Sequence, residues 1–285
     1  MDAKQSIAII GINSILAQSI YDKLSGDFEI VQVYHVNKDK VKSAINLIST
    51  TDFLKMDRSF KAIYFISAAI NYQENSSNVQ QVFDANVKFL LEVSERFLEA
   101  KIIHSSTVSI YEELGQTVTE MSNISPKNSY ATSKLWAEQI VSRHPGGGVN
   151  VRMSSLFGVQ MNQTTFLPKV IRNAIQNKEI NIFGDGSRKQ NYISADEAGE
   201  YFCNAMNYTG KLPLLAVAGQ SFSNIEVAEI IKENVDGVSI NFKGEDNSKS
   251  FVYDNTATRE ALQMNTKHSF SDLLIQLISW IEKQP

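Results

Sequence analysis

The sequence predicts an α/β chain: a doubly wound parallel sheet followed by a smaller, mixed C-terminal lobe. Strand-length runs that are apolar throughout, helical apolar spacing between them, and a change of that rhythm after about residue 157 predict it. Runs without alternation suit strands covered on both faces, as helices on either side of a parallel sheet provide. The 285 residues exceed the ~150 of a typical domain, enough for one large domain with a smaller lobe. The large domain is expected over 1–157 with returning segments near 182–203, and the lobe over 158–285.

The first element is an apolar run over 7–10 that ends at Gly11; residues 14–24 then place Ile15, Leu16, Ile20 and Leu24 at helical spacing. Further strands are expected at 28–34 and 62–66, while 37–59 resists assignment. Val82, Phe83, Val87, Leu90, Leu91 and Phe97 make 79–98 a long amphipathic helix, and Ile102-Ile103 starts a strand that runs into Ser105-Ser106. A helix over 130–142, a break at 144–148 and a strand over 149–153 complete the alternation. Beyond residue 157 come a helix near 168–176, the turn Gly184-Asp185-Gly186 and short mixed elements.

With 27 basic against 31 acidic residues, a net charge of −4 provides no field to gather a polyanion or a membrane surface, so neither is expected as a partner. Cys203 is the single cysteine, which excludes an intrachain disulfide and a cysteine metal site and suits a reducing compartment. His35, His104, His144 and His268 have no metal-ligand spacing, so no metal is expected. The first apolar run is too short for a secretion signal, and no run approaches the ~20 residues of a membrane span, which predicts a cytoplasmic protein.

Gly11 stands where a dinucleotide pyrophosphate would rest on a helix N-terminus, whose free N–H groups attract phosphate. Gly11, Asn13, Ser14, Ile15 and Leu16 are the candidate contacts in that turn; Ser14 and Ala17 replace the usual later glycines, one still a donor, the other still small. A plain strand-to-helix turn would read the same way. Where an acidic residue would hold the adenine ribose, His35 stands instead, followed by Asn37 and Lys38; these could accept a 2′-phosphate, which favours NADP(H) over NAD(H), or could be solvated loop residues.

Tyr130 and Lys134, four apart on one helix, share a face, with Cβ atoms about 5–6 Å apart. A cation there favours phenolate and lowers a tyrosine pKa from about 10 toward working pH, as acid/base catalysis at a hydroxyl requires. A surface tyrosine beside a solvated lysine has the same spacing. The strand ending Ser105-Ser106-Thr107 delivers hydroxyls to the sheet edge where ligands bind, where a threonine can bond the same substrate oxygen as the tyrosine or simply cap the strand.

With these features in order, the chain resembles the extended short-chain dehydrogenase/reductases, the NAD-dependent epimerase/dehydratase family acting on nucleotide sugars. The likeness includes Ser67-Ala68-Ala69, Asn86-Val87, Ser105 through Ile110-Tyr111, Tyr130 to Lys134 with Glu138 following, the segment 152–158, and Gly184-Asp185-Gly186 leading to Ala195-Asp196. The resemblance implies a Rossmann domain with a C-terminal substrate lobe, and makes Thr107, Tyr130 and Lys134 the catalytic set, Lys134 also bonding the nicotinamide ribose. It implies that Ser67, Ala68, Ala69, Asn86, Ser105 and Ser154 lie at the cofactor. Thr107, Ser155, Phe166, Arg188 and Gln190 would meet the substrate, and a homodimer would pair through helices 79–98 and 130–142.

Departures narrow the reaction. Dehydratases of the family carry Asp-Glu after the catalytic threonine, and Val108-Ser109 here can neither donate nor remove the protons that eliminating water needs. Ser155 replaces an asparagine, and Gln190 an arginine that pairs with the substrate diphosphate, a role Arg188 could take. The expected activity is an NADPH-dependent 4-ketoreductase of an NDP-4-keto-6-deoxyhexose. The alternatives are an NAD-dependent 4-epimerase and a non-catalytic nucleotide-binding regulatory protein.

Overall fold

In the computed structural model, which describes residues 4–35, 41, 45–70, 75–112, 117–265 and 268–284, the chain alternates strand and helix as far as residue 153. Strand β1 (Ser6–Ile10) turns at Gly11 into α1 (Ile15–Leu24), and β2 (Glu29–Tyr34) follows. Next come β3 (Leu47–Ser49), the single turn α2 (Thr50–Phe53) and β4 (Ala62–Phe65). The long helix is α3 (Ser76–Phe83) and α4 (Phe89–Arg96), joined by a π-helical turn at Asp84–Lys88. Strand β5 (Lys101–Thr107), the short β6 (Thr117–Val118), α5 (Ser129–Ser142) and β7 (Gly148–Met153) complete this half.

The remainder begins with β8 (Ser155–Phe157), α6 (Phe166–Asn177), β9 (Glu179–Phe183), β10 (Lys189–Ser194) and α7 (Ala195–Ala205). It ends with β11 (Leu214–Ala216), β12 (Ser221–Ser223), α8 (Asn224–Asn234), β13 (Ser239–Lys243), β14 (Val252–Tyr253), α9 (Thr256–Ala261) and α10 (Phe270–Glu282). Among the described residues no helix is long and apolar enough to cross a membrane.

Seven parallel strands form the main sheet in the order β11-β7-β5-β4-β1-β2-β3. The order reverses at β1, and such a switch point opens a crevice at the strands' carboxyl ends. The register aligns those ends: Ile10 pairs with Phe65, Phe65 with His104, and Thr107 with Met153. The period of two sends alternate residues to opposite layers. Ile7 and Ile9 join Leu16, Ile20, Tyr201 and Phe202 beneath α1 and α7, whereas Ala8 and Ile10 join Leu90, Val93, Ala137 and Val141 beneath α4 and α5.

A separate apolar core holds the later elements together: Phe157, Leu167, Ile171, Tyr192, Ile231, Phe270, Leu274 and Ile278, with Phe222 stacked on Phe270 at 4.3 Å. The segment 37–59 contains β3 and α2, of three and four residues, too short to show a period. Strand β11 adds to the main sheet from residue 214 onward, beyond the returning segment drawn at 182–203.

Candidate active site

On the cofactor side, the turn after β1 is built by close approach. Gly11 adopts φ 89°, its N–H donates to Val33 O at 3.0 Å, and a Cβ there would fall 2.7 Å from Ser67 N. Only glycine fits such a backbone contact, so the turn lies directly against the Ser67-Ala68-Ala69 segment. Ser14 caps α1, its Oγ accepting from Leu16 N at 3.2 Å. The Leu16 side chain is buried in the core and the partly buried Ile15 packs against the smaller lobe's core, so α1 offers a ligand its N-terminal backbone rather than these side chains. Asn13 is half-buried in the same turn. The free N–H groups at the N-terminus of α1, beside a turn that only glycine allows, fit a dinucleotide pyrophosphate.

Asn86 sits in the π-helical turn with no exposure. Its Oδ1 accepts from Ala69 N at 2.8 Å, while Nδ2 donates to Ala69 O at 3.1 Å and Ser133 Oγ at 3.0 Å. The amide therefore ties the Ser67–Ala69 segment to α5, with its hydrogen bonds going to protein groups. His35 is exposed at the end of β2, its Nδ1 3.3 Å from Thr50 Oγ1. Asn37 and Lys38 lie outside the described residues.

Helix α5 starts at Asn128, whose Oδ1 accepts from Ala131 N at 2.8 Å, so Tyr130 lies in its first turn and Lys134 in the next. Lys134 is wholly buried; its Nζ donates to Ser105 O at 2.6 Å and lies 6.0 Å from the centre of the Tyr130 ring. Burial pushes the ammonium down from the ordinary lysine range to about 7, and the Glu138 carboxylate acts against that shift. Thr107 ends β5, its Oγ1 accepting from Ser109 N at 3.1 Å and donating to Ser109 Oγ at 3.2 Å. Across the pair with Met153, the next residue of the neighbouring chain segment is Ser154, whose Oγ donates to Asn191 Oδ1 at 2.7 Å.

Sequence reasoning assigned no role to a buried polar network beside this set. Arg152 donates through Nη2 to Glu138 Oε2 at 2.7 Å, through Nε to Glu138 Oε1 at 2.9 Å and through Nη1 to the Tyr111 hydroxyl at 2.9 Å. Ser106 Oγ donates to Glu138 Oε1 at 2.6 Å. Burial pushes the Tyr111 phenol up, with Arg152 opposing. The signal was legible: an arginine inside an apolar strand must find a buried partner, and Glu138 stands one turn beyond Lys134. His104, also fully buried and pushed by burial well below the usual histidine range, has Nδ1 2.9 Å from Asn150 Oδ1.

The expected substrate residues stand on the smaller lobe. Ser155 is exposed on β8 opposite Tyr192, and Phe166, 44% exposed, begins α6. Arg188 is half-buried, 3.9 Å from Asp246, and Gln190 Nε2 donates to Asn224 Oδ1 at 3.0 Å. Away from this edge, donor atoms of Asp196, Glu200 and His268 lie within 4.8 Å of one another, an arrangement that histidine spacing did not reveal. The Lys23 ammonium sits 2.7 Å from Asp196 and already answers that charge.

A doubly wound sheet with a glycine turn at its switch point, and with Thr107, Tyr130 and a buried Lys134 on its carboxyl edge, is the architecture of a Rossmann-type dinucleotide-binding protein. The chain belongs to the NAD dependent epimerase/dehydratase family, whose model matches residues 9–213. It is similar to the low-salt glycan biosynthesis protein Agl12 of Haloferax volcanii, 25% identical over 211 residues, 70% of this chain and 62% of that one. The matches span between 16% and 62% of the length of the curated relatives. Among solved structures, UDP-N-acetylglucosamine 4-epimerase from Methanobrevibacter ruminantium M1 superposes with TM-score 0.87 at 17% identity, covering 100% of both chains. UDP-glucuronic acid 4-epimerase from Bacillus cereus in complex with NAD gives 0.82 at 17% identity, covering 98% of this chain and 99% of that one.

Proposed function

We propose that the chain is a nicotinamide-dependent oxidoreductase acting at a carbinol carbon of a nucleotide sugar, and specifically an NADPH-dependent 4-ketoreductase of an NDP-4-keto-6-deoxyhexose. The observation that carries this reading is Lys134: an ammonium with no exposure, bonded to Ser105 O, one helical turn from Tyr130 and beside the strand that ends in Thr107. Burying a lysine charge is costly, and a cation beside a phenol favours the ionised oxygen that proton transfer at a sugar hydroxyl uses.

Gly11, the N-terminus of α1 and the Ser67–Ala69 segment would hold the dinucleotide, and Lys134 would bond its nicotinamide ribose. When bound, the nicotinamide supplies the hydride. Tyr130 then gives its proton to the keto oxygen, Thr107 donates a hydrogen bond to that same oxygen, and Lys134 stabilises the phenolate left behind. Val108 and Ser109 supply neither acid nor base for eliminating water. His35, standing where a ribose-binding carboxylate would repel a 2′-phosphate, favours NADPH. Ser155, Phe166, Arg188 and Gln190 would receive the substrate's nucleotide half, and Ser154 would lie between the two sites.

A cytoplasmic homodimer is part of the proposal. Trp136 on α5 is 55% exposed and meets Phe83 on α3 at 5.4 Å, and Leu91 on α4 is 43% exposed, so apolar side chains remain uncovered on the helices expected to pair. A second reading, an NAD-dependent 4-epimerase, is favoured by the fold likeness to 4-epimerases and needs the same Thr107, Tyr130 and Lys134.

Assaying purified protein with 4-keto and 4-hydroxy nucleotide sugars, with each nicotinamide cofactor, tests both. NADPH consumption with a 4-keto substrate is the expected result. Turnover without added reductant, by protein that carries bound NAD, would replace it with the epimerase. No turnover in any combination would overturn both readings and leave a non-catalytic nucleotide-binding protein.

A further inference from the structure

Glu138 lies on α5 one turn beyond Lys134 and has no part in the chemistry above. It is 4% exposed, yet its carboxylate is approached from two further elements: β7 through Arg152, at 2.7 and 2.9 Å, and β5 through Ser106 Oγ, at 2.6 Å. Ser106 immediately precedes Thr107. We propose that Glu138 is a positioning residue: held by Arg152 and Ser106, it fixes α5 against the strand end that bears Thr107 and sets its carboxyl group one helical turn from Lys134.

Geometry supports the first part. The proposed chemistry needs a phenol on α5 and a hydroxyl on β5 to meet one oxygen, and a 1 Å misplacement is enough to cost about 10²-fold in rate. Lys134 reaches back to Ser105 O, and Glu138 receives Ser106 Oγ, so two consecutive residues of β5 are pinned by two consecutive turns of α5. Apolar side chains of similar volume would fill this space at least as stably as a buried ion pair. The retained charges therefore point to a role other than packing.

Electrostatics supports the second part. The titratable or charged groups packed around Lys134 are Tyr130 and Glu138 on its own helix, His104 on β5, and Arg152 on β7 behind the carboxylate. His104 is buried in its neutral form. Burial drives Lys134 toward neutrality, and Glu138 is the group whose charge opposes it. Arg152 donates to both carboxyl oxygens of Glu138, which fixes where that group sits relative to Lys134.

The inference rests on the reading of Lys134 as the ammonium of the proposed site, so its test includes a readout that needs no substrate. In apo protein labelled with 13C-lysine, the Lys134 Cε signal is titrated by NMR in wild type and E138Q. The expected midpoint is about 7 in wild type and roughly one pH unit or more lower in E138Q. A folded E138Q with an unmoved midpoint would overturn the electrostatic role, whether or not any sugar is turned over. Should E138Q not fold, E138D carries this arm: it draws the same charge back by one methylene, is expected to lower the midpoint by a fraction of a unit, and sinks the role if it does not. S106A keeps both charges and loosens only the tie to β5. It is expected to leave the midpoint in place and lower kcat several-fold with little change in KM. An S106A enzyme with wild-type kcat would overturn the positioning role.

Discussion

At the carboxyl edge of the main sheet, Asn86, Lys134, Glu138 and Arg152 are buried and bonded across elements distant in the chain, whereas Arg188 and Gln190 of the smaller lobe are half-buried and paired within it. Under the proposed function this difference would separate two tasks. Groups that share a reacting oxygen must be held within fractions of an ångström, and buried bonds between helix and strand do that. Groups that recognise the outer half of a substrate can sit on exposed elements, where exchanging a side chain disturbs nothing beneath it.

The contrast can be broken by stability measurements. Arg152→Met leaves the Glu138 carboxylate buried without its cation, and the expected loss is about 3–5 kcal/mol in urea unfolding. Arg188→Met removes a contact at 3.9 Å from a half-exposed arginine, and the expected loss is about 0–1 kcal/mol. Equal losses would erase the distinction between the two regions.

A second test follows from the pH dependence of Lys134. Its ammonium is held at about 7 in the folded protein, against 10.5 for an ordinary lysine. Between those values the unfolded chain holds a proton that the folded chain does not, so this group makes stability rise with pH across that window. Its burial cost is therefore fully present below about 7 and gone above about 10.5. Lys134→Met is expected to raise the melting temperature at pH 6 by several degrees, at ~2–4 °C per kcal/mol, and by much less at pH 10, while abolishing turnover. An equal gain at both pH values would contradict the buried ammonium.

On the recognition side, Gln190→Arg offers a diphosphate a bidentate partner in place of a neutral amide. One charge-assisted hydrogen bond is worth roughly 1.5–3 kcal/mol, so KM for a nucleoside diphosphate sugar is expected to fall about tenfold with kcat little changed. An unchanged KM would place the diphosphate elsewhere.

The same division explains what could be read from the residues alone. The β1–Gly11–α1 turn, the hydroxyls ending β5 and the Tyr130/Lys134 pair were legible because each is local: a period, a turn residue, a spacing of four. The tie from Asn86 to Ser133 was not, because 47 positions separate the pair; Arg152 inside its strand signals a buried partner, but the meeting of three elements at Glu138 has no local pattern. After residue 157, three-residue pieces such as β11 in the main sheet and β12 in the smaller lobe are defined by the strands they pair with rather than by a pattern of their own. Leu16 was expected at the cofactor through its place in the turn, but the helical spacing that identified α1 also turns that side chain into the core.

The most direct test that Tyr130 protonates the oxygen of a carbon receiving hydride uses [4,4-2H2]NADPH with an NDP-4-keto-6-deoxyhexose and mass spectrometry of the product. One deuterium is expected at C4 of the wild-type product, and a rate roughly 10²–10⁴ lower for Tyr130→Phe. Product free of deuterium, or an unchanged rate in the Tyr130→Phe enzyme, would contradict it.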